Sequence, residues 1–109
     1  MKVSIITVSF NAAKTISATL SSVASQTYPH IEHIVVDGGS TDGTCEELVR
    51  LANSATNIVS EADRGIYDAI NRGISRATGH VIGLMHSDDM FAHDRVIEEV
   101  ALCFDNPSI

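Results

Sequence analysis

At 109 residues, with 44% hydrophobic and 19% charged side chains, the chain has the size and composition of one globular domain with a core of its own. Seven Lys and Arg against fourteen Asp and Glu leave a net charge of −7, which excludes a nucleic-acid surface and a polybasic membrane patch, since both need clustered cations. No apolar run nears the roughly 20 residues of a spanning helix, and the opening stretch is too short and too β-branched for a signal peptide, so a cytoplasmic location is expected.

Four continuous apolar runs read as buried strands: Val3 to Val8, His33 to Val36, Asn57 to Ser60 and His80 to Met85. A helix carrying Ile16, Leu20 and Val23 on one face follows the first. A second helix carries Leu48, Leu51 and Ala52, with Thr44 and Glu47 at capping-box spacing. The third has the clearest stripe, Ile66, Ile70, Gly73, Ile74 and Ala77, and stops at Thr78-Gly79. The last, from about Ala92, is expected to bury Val96, Ile97, Val100 and Phe104 before Asn106-Pro107 breaks it. The order β-α-β-α-β-α-β-α predicts an open, mainly parallel α/β sheet with helices on both faces and right-handed crossovers. Cys45 and Cys103 lie far apart in helical patterns and read as core thiols, not as a zinc or redox pair.

Ligands of such sheets bind at the carboxyl ends of the strands. Polar residues collect at all four ends: Thr7-Val8-Ser9-Phe10-Asn11, Asp37-Gly38-Gly39-Ser40-Thr41-Asp42-Gly43, Glu61-Ala62-Asp63-Arg64-Gly65 and His86-Ser87-Asp88-Asp89. Each alone is explained by turn and cap chemistry; four on one rim are better explained by a shared site. Asp88 and Asp89 end an apolar strand as adjacent, mutually repelling carboxylates, which suits Mg²⁺ or Mn²⁺ completed by phosphate oxygens, or only a cap on the last helix. The glycines after Asp37 would let a ligand approach the backbone, and that carboxylate suits a base or ribose hydroxyl. No Walker or dinucleotide fingerprint is present. Asp63-Arg64-Gly65 brings a cation to a helix start, suited to phosphate or to a surface ion pair. His86 and His93 flank the Asp pair at a spacing that matches no metal motif.

Taken together, Val3-Ser4-Ile5-Ile6-Thr7-Val8-Ser9-Phe10-Asn11, Gln26-Thr27-Tyr28-Pro29, Val35 to Thr44, Ser60 to Asn71 and Ser87-Asp88-Asp89 resemble glycosyltransferase family 2, in particular its bacterial O-antigen, capsule and exopolysaccharide branch. The resemblance spans essentially the whole chain. It implies a Rossmann-like GT-A nucleotide-sugar-binding domain, a nucleotide-diphosphate sugar donor (a UDP-sugar in first place), a divalent metal, inversion at the anomeric carbon, and a glycan or lipid-linked acceptor. Carried over by position, Thr7, Asn11 and Asp37 become nucleoside contacts, Ser9 belongs to the nucleotide-sugar site, Asp63 and Arg64 lie near the donor, Asp88 adjoins the nucleotide sugar, and Asp88 and Asp89 hold the metal. Many relatives carry a second Asp where this chain has Gly38, so the nucleobase stays open.

The same resemblance places the general base and the acceptor-binding half beyond residue 109. Residues 1–109 are then the donor-binding part, weak in transfer by themselves, with the longer protein peripheral to the inner membrane surface. The family's topology sets the fourth strand beside the first, which predicts an edge rich in Val, Ile and Leu and self-association through it. Two rival readings fit less well. A phosphoacceptor receiver domain needs a lysine near the end of its fifth strand, whereas lysine occurs here only at positions 2 and 14, and a nucleotidyltransferase favours a basic, glycine-rich first loop that is missing. A non-catalytic nucleotide-binding module of the same fold remains the alternative.

Overall fold

The computed structural model describes residues 1–62 and 65–105. Four strands, β1 (Val3–Ser9), β2 (Ile31–Asp37), β3 (Thr56–Ser60) and β4 (Val81–His86), alternate with four helices, α1 (Ile16–Ala24), α2 (Thr44–Leu51), α3 (Ile66–Arg76) and α4 (Val96–Asp105). All strand pairs are parallel and the sheet order is β3-β2-β1-β4, so the fourth strand lies beside the first as the sequence predicts. The order reverses between β1 and β4, the place where open α/β sheets form a crevice.

Helices cover both faces, unequally. On one face α1, α2 and α4 bury Val3, Ile5, Val35 and Met85 with Ile16, Leu20, Val23, Leu48 and Ile97. On the other, α3 alone packs Ala69 against Ile6, Ile34 and Val36. A Cβ on Gly73 would stand 2.5 Å from the Ile6 side chain, so this helix reaches the sheet only because position 73 has none.

Lone cover on that face explains where the predicted core fails. Helix α3 sits over β1 and β2 and leaves the edge strand bare, so Ile82 and Leu84 are 42% and 58% exposed and β4 is half-buried, not buried throughout. Along α3 it is Ala69 and Gly73 that are buried, while Ile66 and Ile74 are exposed. In α4, Ile97 and Ala101 face the core, whereas Val100 and Phe104 are 37% and 63% exposed, so the helix packs by a narrower seam than its apolar period suggests. In α2, Leu48 is buried and Ala52 lies past the helix end. The capping box also fails. Gly43, at φ 96°, is the N-cap, and Asp42 takes the capping role by accepting the Thr44 N–H and hydroxyl, while Glu47 pairs with Arg50 instead. Of the two cysteines, Cys45 is half-buried and Cys103 exposed, so neither is a core thiol. The predicted stop at Asn106-Pro107 lies outside the described residues.

At the amino ends of the strands, Glu32 forms a clamp. It accepts hydrogen bonds from the Ser4 hydroxyl and from the N–H and hydroxyl of Thr78, and pairs with Lys2 at 3.2 Å. Desolvation opposes its charge, but the Thr78 N–H, Ser4, Lys2 and the Thr78 hydroxyl prevail and bring its pKa down to about 2.

Candidate functional site

A cleft of about 490 Å³ opens at the carboxyl ends of the strands on the α3 face. Its lining comes from β1 (Val8, Ser9, Phe10), from Gly38 after β2, from the start of α3 (Gly65, Ile66, Ala69), and from His86 and Ser87 after β4. It therefore lies where the strand order reverses. Phe10 is 63% exposed, so the cleft mouth carries an aromatic ring.

Asp88 and Asp89 follow the lining residues directly, and both are exposed. Asp88 has no ion pair or hydrogen bond among the described residues. Asp89 folds back on the strand end: its N–H donates to the His86 carbonyl at 3.0 Å, and its Oδ2 accepts from the His86 N–H at 3.1 Å. One oxygen of Asp89 and both of Asp88 stay open. Among the described residues no three His, Cys, Asp or Glu side chains gather as a metal shell supplied by protein alone would require. Two adjacent carboxylates that form no ion pair among the described residues fit a Mg²⁺ or Mn²⁺ that draws its remaining ligands from phosphate and water.

Three residues expected at the nucleotide-sugar site, Thr7, Ser9 and Asp37, have their side chains engaged within the fold. Thr7 is fully buried, with its hydroxyl 2.7 Å from Nε2 of the buried His33, so it belongs to the core on the α1 side. It lies two residues short of the strand end, where the pleat turns its side chain under the helices. Asp37 is likewise fully buried. Its carboxylate accepts from the hydroxyls of Ser9 (2.9 Å), Ser40 (2.6 Å) and Ser60 (3.3 Å), from the N–H groups of Gly39 (3.1 Å) and Ser40 (2.8 Å), and from the Cys45 thiol (3.3 Å). Burial alone would raise the pKa of Asp37; the bonds from Ser40, Ser9 and Cys45 outweigh it and hold the group below its usual value. Asp37 is thus the hub of its own loop, and Ser9, at the cleft, has its hydroxyl committed to that hub.

Asn11 remains exposed at the rim. It sits at φ 51°, donates its N–H to Ser40, and accepts the Thr41 N–H on Oδ1, which ties the first two loops together. Gly38 lines the cleft as a bare backbone. Asp63 and Arg64 lie outside the described residues. Reading by residue type missed Thr19 and Ser22 of α1 and Gln26 just past its end, which bind the segment carrying the Asp pair; their spacing of three and four was the available signal.

A sequence profile described as glycosyl transferase family 2 matches residues 4–108. An uncharacterized glycosyltransferase of Mycobacterium tuberculosis is 41% identical over 98 residues, which cover 89% of this chain and 37% of that protein. The Escherichia coli UDP-Glc:alpha-D-GlcNAc-diphosphoundecaprenol beta-1,3-glucosyltransferase WfgD is 33% identical over 105 residues, covering 95% of this chain and 42% of WfgD. Among solved structures, the mannosyltransferase PcManGT of Pyrobaculum calidifontis, in complex with GDP-Man and Mn²⁺, superposes with a TM-score of 0.90 at 28% identity, over 99% of this chain and 33% of that one. The chain spans about two-fifths of the length of the curated relatives it matches.

Proposed function

The chain belongs to glycosyl transferase family 2, and from that membership we propose that residues 1–109 form the donor-binding part of an inverting, metal-dependent glycosyltransferase of cell-surface polysaccharide synthesis. The observation that carries this reading is an open cleft, at the reversal point of a parallel sheet, that ends on two adjacent exposed carboxylates. A nucleotide-diphosphate sugar is the donor, with UDP-sugar first, and a glycan or lipid-linked molecule is the acceptor. Names of similar proteins support both: WfgD joins a UDP-sugar to a diphosphoundecaprenol-linked acceptor, and PcManGT was solved with GDP-Man. No helix among the described residues is long and apolar enough to cross a membrane, which fits a part placed at the cytoplasmic face of the inner membrane.

In this reading Phe10, Gly38 and Ile66 shape the nucleoside end of the cleft, with Asn11 at its rim. Asp88 and Asp89 hold a divalent cation, Mg²⁺ or Mn²⁺, which when bound supplies positive charge against the departing diphosphate. Asp63 and Arg64 stand near that diphosphate. The acceptor hydroxyl attacks the anomeric carbon directly and its proton passes to a carboxylate from outside these residues.

Calorimetric titration with UDP and with GDP, with and without Mn²⁺, tests the proposal. Binding of one nucleotide is expected only with Mn²⁺, weakened at least about ten-fold by Asp88→Ala and by Asp89→Ala. Binding that ignores Mn²⁺ and both substitutions would overturn it. The open edge of β4, with Ile82 and Leu84 exposed, also supports self-association. Sedimentation equilibrium should then show a concentration-dependent dimer that Leu84→Lys abolishes; a chain that stays monomeric at millimolar concentration contradicts this.

A further inference from the structure

The segment that carries the Asp pair is not held by its own strand alone. Helix α1 and the residues just past its end bind it from Ser87 to Glu98, through Thr19 and Ser22 on the helix and Gln26 and Thr27 after it. The Thr19 hydroxyl, fully buried, lies 2.6 Å from the Asp89 carbonyl and 3.0 Å from that of Ser87. One turn on, Ser22 Oγ accepts the Phe91 N–H at 2.6 Å. The Gln26 amide then donates to the His93 carbonyl at 2.8 Å and accepts the Ile97 N–H at 3.0 Å. Thr27 closes the row, its N–H on the Asp94 carbonyl at 2.7 Å and its hydroxyl on Glu98 at 2.7 Å.

We infer that this polar row of α1 is the mould of the Asp88–Asp89 turn, and that Thr19 is its positioning residue. The inference rests on the donor- and metal-binding reading above. Thr19 touches neither cleft nor carboxylate. It acts through the two backbone carbonyls that bracket Asp88, and so fixes the direction in which Asp88 and the free oxygen of Asp89 project. A single rotatable hydroxyl is shared between those carbonyls, so its loss frees both at once, whereas α1 keeps its apolar anchors Ile16, Leu20 and Val23. Partners of this kind set how well metal-binding carboxylates are aimed, and their removal typically weakens metal affinity about 10- to 100-fold.

The test compares Thr19→Val, Thr19→Ser and Glu32→Gln. The last loosens the clamp at the opposite end of the sheet and controls for lost stability. In UDP titrations against Mn²⁺, Thr19→Val should raise the half-saturating Mn²⁺ about ten-fold or more. Thr19→Ser should return it close to the original value, and Glu32→Gln should leave it unchanged at a comparable loss of Tm. A Thr19→Val chain that binds like the parent, or a Glu32→Gln chain that shifts as far, overturns the inference. Amide hydrogen exchange without any ligand judges the mould separately. The Asp89 and Phe91 N–H groups should exchange faster in Thr19→Val than in Glu32→Gln, and equal rates overturn it. If the parent chain fails to bind UDP with Mn²⁺, the functional reading falls, and the exchange result alone decides whether α1 sets the turn.

Discussion

Asp37→Ala should cost about 3–5 kcal/mol in urea unfolding, a large share of the 5–15 kcal/mol that holds a typical domain together. Three hydroxyls, two backbone N–H groups and a thiol converge on that one buried carboxylate, and alanine leaves them facing each other without an acceptor. Asp37→Asn separates charge from connectivity. Oδ1 receives only the Ser9 and Ser40 hydroxyls, which can rotate and accept, while Oδ2 receives the Gly39 and Ser40 N–H groups, which cannot. An asparagine with its oxygen at the Oδ2 position therefore keeps the backbone bonds, and its loss should stay near 1–2 kcal/mol. An asparagine variant as unstable as the alanine one would show that the negative charge, not the bonding pattern, holds the loop.

The second large effect is a loss of stability between pH 6.5 and 4. His33 is 3% exposed between the sheet and α1, and burial lowers its pKa to about 4, from an ordinary value near 6.5. The unfolded chain takes up this proton first, so the stability contributed by the neutral ring is complete above about 6.5 and falls as the pH drops toward 4. The slope approaches about 1.4 kcal/mol per pH unit and the total about 3 kcal/mol. Glu32 and Asp37, whose folded pKa values are depressed, act in a separate window: their contribution holds above the ordinary carboxylate range and fails below about pH 4. Unfolding free energies from pH 7.5 to 4.5 check the assignment. His33→Gln should flatten the slope, and a slope unchanged by that substitution would place the titrating group elsewhere.

What the sequence discloses follows from how many neighbours decide each feature. Strands β1 to β4 and their parallel order were legible because β-branched runs and intervening helical spacing are local signals, and so was the rim, because Gly, Ser and Asp cluster just past each run. The buried place of Thr7 is not legible in the sequence, because its face of the strand depends on the exact register. Asp37 stands out in the sequence as a rim carboxylate, while only the fold shows six donors closing on it. The row Thr19, Ser22 and Gln26 looks like a solvated helix face until the segment after β4 is laid across it. Phe104 and Val100 share the apolar period of Ile97, but the period does not tell how narrow the seam is by which α4 packs.

The sheet keeps support and chemistry on opposite sides. Asp37, Thr7, His33 and the α1 row lie on the face crowded by three helices, whereas the cleft walls Phe10, Gly38, Ile66 and His86 lie toward the face that α3 covers alone. Natural variation can therefore rewrite the wall that selects a substrate while the fastening beneath stays the same. On the donor-binding reading proposed above, lineages that diverge in the nucleotide they bind would accumulate their differences on the α3 side of the rim, and a library meant to change that preference starts there.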